Sequence, residues 1–109
     1  MTHQVKKILY KVSDVVEKID KAAQNLMINP SNNITVNTEL AALGSYLKSL
    51  RDLVTILNSL GTEIKILYEF TKYFEKNFSQ INANRMHPDI IYGLSKDLRE
   101  KCSSVRKEV

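Results

Sequence analysis

Few side chains in this sequence can perform chemistry, and their spacing does not bring them together. Its two histidines are His3, near the start, and His87, directly before Pro88. Neither has a Cys, Asp or Glu at metal-ligand spacing, so a metal site would require a coincidence in three dimensions. The single cysteine, Cys102, has no internal partner for a disulfide, and on an apolar helix face a thiol behaves as a small hydrophobe. Acid pairs such as Glu63 and Glu69 fall at positions expected to be solvated. The only three glycines, at 44, 61 and 93, are too scattered for a phosphate-cradling loop or a nucleophile elbow. These residues predict a non-enzymatic protein with no catalytic site, metal, cofactor or small-molecule substrate.

The dominant pattern belongs to the scaffold. From Leu43 the chain places Tyr46, Leu50, Leu53, Leu57, Leu60, Ile64, Leu67, Thr71, Phe74, Phe78 and Ile81 at alternating steps of three and four. Such a series forms one stripe along a helix, at the a and d positions of a heptad. Only Thr71 breaks the chemistry. A stripe of this kind must be covered by other helices.

Two further helices supply the cover, one before the stripe and one after it. Val5, Ile8, Leu9, Val12, Val15, Val16, Ile19, Ala22, Ala23 and Leu26 recur at helical spacing and predict a helix from His3 to Ile28. Its outer face offers the pairs Asp14–Lys18 and Glu17–Lys21 at i, i+4. Asn29-Pro30 ends it, because proline disfavours helix at the residue before it. Residues 29–36 read as a loop, with Asn37 or Thr38 as the N-cap of a second helix that runs at least to Ser59. Pro88 and Asp89 open the last helix, where proline suits the first turn and the acid complements the dipole. Its buried face is expected to carry Ile91, Leu94, Leu98, Cys102 and Val105.

Asn58-Ser59-Leu60-Gly61-Thr62 decides the architecture. Gly61 resembles a C′ glycine and Thr62 a fresh N-cap, which favours a turn. The uninterrupted heptad phase instead favours one long helix through Gly61. The turn is preferred, since very long helices are rare in small domains. The expectation is a single all-α domain over residues 1–109, an antiparallel bundle of four helices; the alternative is three helices with a long central one. A domain of this length buries roughly 60–70% of its unfolded surface.

Charge narrows the partners. The net charge of +4 is split between residues 1–28, with five lysines against three acids, and residues 83–109, with six basic residues against four. Lys6, Lys7 and Lys11 form a basic face on the first helix, yet acids share that helix and tryptophan is absent. The aromatics lie apart from the basic ends. Neither nucleic-acid binding nor membrane insertion is therefore expected, with a weak nucleic-acid-binding bundle as one alternative function. Charges at Lys11, Asp14 and Glu17 interrupt any signal core, so a cytoplasmic location is expected.

The one feature that suggests an activity is surplus apolar surface. Between residues 64 and 78, Ile66, Phe70 and Tyr73 form a second row turned away from the stripe. A helix apolar on two faces is buried on several sides or sits at an interface. The row is thus a candidate protein interface, for another protein or for a second copy of the chain. A plainer reading, in which it touches a neighbouring helix of the same bundle, stays open. In size, basic pI and expected helix number the chain also resembles the small immunity proteins that protect bacteriocin producers, as does the run Leu43-Gly44-Ser45-Tyr46-Leu47-Lys48. That resemblance implies an immunity or antitoxin-like function as a further alternative.

Overall fold

A computed structural model describes residues 3–83 and 87–109, with side chains described for 3–78 and 87–109. It contains α1 (His3–Ile28), α2 (Asn33–Ser59), α3 (Lys65–Ala83) and α4 (Pro88–Glu108). The helices form an antiparallel four-helix bundle. α1 and α3 each pack on both α2 and α4, which closes a ring around one apolar core. The molecule measures 45 × 23 × 19 Å. Its long axis is therefore set by α1 and α2, since a helix of their length spans about 40 Å. Among the described residues no helix is long and apolar enough to cross a membrane.

The chain reverses at Gly61, so the long central helix does not form. Thr62 N–H donates to the Leu57 carbonyl at 2.9 Å and Gly61 N–H to the Asn58 carbonyl at 3.0 Å. These are the two bonds of a Schellman cap, which requires a left-handed residue at C′. Gly61 supplies it at φ +77°, the one positive φ among the described residues. Thr62 completes this cap rather than opening α3, whose first bonds go from Leu67 and Tyr68 N–H to the Ile64 carbonyl. Both helices turn their stripes to the same core. The junction shows at Leu60, which is 39% exposed.

Away from that junction the stripe packs as its spacing demands. Leu43, Leu50, Leu57, Leu67, Phe74 and Phe78 are buried, while Tyr46, Leu53 and Ile64 are half-buried. Ile81 falls outside the described side chains. Thr71 fits the core because its Oγ1 donates to the Leu67 carbonyl at 2.8 Å, satisfying the hydroxyl within its own helix. Phe70, Phe74 and Phe78 stack edge to face along α3, with centroids 6.1 and 5.3 Å apart.

The start of α2 corrects the expectation of a loop to residue 36. Asn32, rather than Asn37 or Thr38, is the N-cap; its Oδ1 accepts from Thr35 N–H at 3.0 Å. The β-branched run Ile34-Thr35-Val36 therefore lies within the first turn, where capping and the packing of Val36 and Leu40 against the core outweigh its weak propensity. At α4 the expectation holds, with Pro88 in the first turn and Asp89 beside it. His87 acts there as the N-cap, its Nδ1 accepting from Asp89 N–H at 3.1 Å. Ser95 replaces Leu94 as a fully buried member of the inner face; no partner is recorded for its Oγ.

Candidate interaction surface on the two flanks of α4

Helix α4 turns Ile91, Ser95, Leu98, Cys102 and Val105 inward, which leaves one flank of the helix against α1 and the other against α3. The second apolar row of α3 lies on the α3 flank. Phe70 is 2% exposed and belongs to the core, while Ile66 and Tyr73 are half-buried and pack against it. With Glu69, Lys101, Ser104 and Val105 they line a cleft of about 240 Å³ between α3 and α4. The row is spent largely on the neighbouring helix, and only the outer edges of Ile66 and Tyr73 remain for anything beyond the chain.

Tyr73 ties this seam together. Its hydroxyl donates to Asp97 Oδ2, and Lys101 Nζ stands 5.0 Å from its ring centroid. Burial raises the phenol's pKa well above its ordinary value, reinforced by the hydrogen bond to Asp97 and by the charges of Asp97 and Glu100. Tyr73 therefore stays a neutral donor at any physiological pH. A proton-transfer role at neutral pH is outside its range.

The α1 flank is sealed by charge. Asp20, only 19% exposed, accepts from Arg99 Nε at 3.0 Å and lies 4.0 Å from Arg106 Nη1. Beneath this cluster Cys102 is fully buried. Its thiol is pushed from an ordinary 9.0 up to about 12, first by burial and then by Asp20, with Arg106 and Arg99 opposing. A thiol so placed is protonated and shielded, which removes it as a nucleophile. Around the cluster Asp20, Met27, Lys96, Arg99, Glu100, Ser103, Arg106 and Lys107 line an open groove of about 780 Å³.

The chain matches no protein-family model, no curated protein and no solved structure. Among the described residues no group of three His, Cys, Asp or Glu side chains could hold a metal ion. Lys6, Lys7 and Lys11 are exposed as the helical pattern requires, and Lys11 and Lys18 share a shallow α1–α2 depression with Asp14 and Asp52. The basic face is thus interleaved with acids. Of the expected helix pairs, Glu17–Lys21 is present at 3.6 Å.

The other exposed large apolar side chains, Tyr10, Ile28, Ile34, Ile56, Tyr68, Ile90 and Tyr92, are distributed over all four helices, and singly exposed apolar residues are normal on protein surfaces. Sequence reasoning missed both polar clusters beside α4. Asp20 and Arg99 are 79 positions apart, and Tyr73 and Asp97 are 24 apart. No local spacing links them. Ser95 was detectable, because 91, 95, 98, 102 and 105 continue the alternating steps of a heptad.

Proposed function

We propose that this bundle is a non-enzymatic interaction module that docks a protein partner at the α3–α4 seam. The observation that supports the reading most directly is the composition of the cleft. Phe70 and Val105 give it an apolar floor, Ile66 and Tyr73 its walls, and Glu69, Lys101 and Ser104 a polar rim. An apolar centre ringed by polar groups is the arrangement of an interface hot spot. At about 240 Å³ the cleft falls below the ~300–1,000 Å³ of small-molecule sites. It suits one anchoring side chain of a partner better than a metabolite.

Among the described residues the seam is also the narrowest helix–helix contact of the ring. A partner side chain entering there disturbs the least packing. The test is site-specific photo-crosslinking in cells, with the cross-linker placed at position 66 and, as control, at the exposed position 10. The expected result is a discrete protein adduct from position 66 that Tyr73→Asp abolishes, with none from position 10. An adduct of twice the chain's mass would identify the partner as a second copy. Equal, diffuse labelling from both positions, with a monomer in sedimentation velocity, would end the proposal.

A further inference from the structure

The α1–α4 groove lies on the opposite flank of α4 from the cleft, and its charge is not balanced within the chain. Four cations, Lys96, Arg99, Arg106 and Lys107, face two carboxylates, Asp20 and Glu100. The excess there amounts to half of the chain's net charge of +4. Arg106 and Lys107 occupy the last turn, where cations favour the helix dipole. Lys96 and Arg99 lie mid-helix and have no such role. Among the described residues neither Lys96 nor Lys107 has a recorded ion pair.

Arg99 is the informative residue. Asp20 holds it by Nε at 3.0 Å, and no partner is recorded for its two Nη groups among the described residues. A guanidinium fixed by one edge presents a preorganised donor to a second carboxylate. The entropy of ordering that long side chain is already spent on Asp20, so an incoming anion gains the bond without immobilising it again.

We propose that this groove receives an acidic segment of a partner protein. From Lys96 to Lys107 the cations run about 16 Å along one side of α4. That length matches about five residues of extended chain, so carboxylates near its two ends would reach Arg99 with Lys96 and Arg106 with Lys107. A nucleic acid fits less well, for two reasons. Glu100 stands among the cations and would meet a backbone charged at every residue, and among the described residues no aromatic side chain lines the groove to stack a base.

The test uses the full chain and a fluorescent peptide of about twelve residues alternating Glu with Ser, read by anisotropy at about 50 mM salt, where exposed charges are weakly screened. The variant Lys96→Glu/Lys107→Glu removes cations without a recorded intramolecular partner, so folding is preserved and is verified by circular dichroism. The control Lys7→Glu/Lys11→Glu changes net charge equally at a distant site. The expected outcome is saturable binding that weakens roughly tenfold or more in the groove variant and less than about twofold in the control, and that falls with added salt. Absence of saturable binding would overturn the proposal, as would equal weakening by both variants. Single-stranded DNA of equal length binding more tightly than the peptide, with the same dependence on Lys96 and Lys107, would reassign the groove to nucleic acid.

Discussion

The two flanks of α4 solve the same packing problem with different chemistry. Against α1 the contact is broad; Val12, Val16, Ile19 and Ala23 are all fully buried on α1, opposite a core row that includes Leu98 and Cys102. Polar groups are pushed to its rim, where Asp20 gathers Arg99 and Arg106. Against α3 the contact is narrow, and one residue supplies both kinds of interaction. Tyr73 lays its ring beneath Lys101 and its hydroxyl on Asp97. Apolar area scales with the contact, so a broad face can leave its charges in water, whereas a narrow seam needs an aromatic with a polar handle. The broad flank is expected to carry stability, and the narrow one to be the more easily opened.

The largest effect that tests this contrast is a cavity on the α3 side. Phe74 is 1% exposed and touches both neighbouring rings. Phe74→Ala is expected to cost about 3–5 kcal/mol in urea unfolding. Hydrogen exchange should then show α3 opening while α1, α2 and α4 remain protected. Uniform loss of protection in all four helices would mean that the two flanks are not separable.

Alkaline titration separates the flanks by chemistry. The buried Cys102 thiol has a folded pKa of about 12 against an ordinary 9.0. Its contribution is therefore complete below pH 9 and is lost as pH rises from 9 towards 12, with a limiting slope of about 1.4 kcal/mol per pH unit. Tyr73, also raised, adds a loss of the same sign that begins only above its ordinary 10.0. Cys102→Ala should therefore flatten stability between pH 9 and 10, while Tyr73→Phe should flatten only the region above 10. Identical alkaline profiles for wild type and Cys102→Ala would show that the thiol is not shielded in solution.

Much of the frame behind this contrast can be read directly from the residues. α1 ends where Asn29-Pro30 forbids continuation, and Gly61 reverses the chain because only glycine takes φ +77° without strain. The start of α2 could not be read the same way. Ile34-Thr35-Val36 favours extended chain locally, and the Asn32 cap becomes decisive only once Leu40 has a core to enter. Phe70 is legible as apolar on a second face, but which helix covers that face is a tertiary fact. The charge groove is the extreme case: Asp20 meets Arg99 and Arg106 only after α1 and α4 have docked.

Substitutions at the polar clusters give the smallest effects and the finest test. Asp20→Asn removes the charge holding Arg99 and Arg106, whose side chains are 38% and 47% exposed. Solvent screening limits the cost to about 1 kcal/mol at low salt, and it should shrink further near 1 M salt, where the Debye length is about 3 Å. Tyr73→Phe deletes one hydroxyl and leaves the ring under Lys101; because the acceptor is a half-buried carboxylate, a cost near the lower end of about 1.5–3 kcal/mol is expected. Hydrogen bonding is short-ranged, and that cost should persist in salt. Unfolding of both variants across a salt series therefore distinguishes the flanks by the nature of their polar contacts rather than by magnitude. If Tyr73→Phe also loses its effect at high salt, the α3 seam is held by the Lys101 and Asp97 charges, and its tyrosine is a spacer between them.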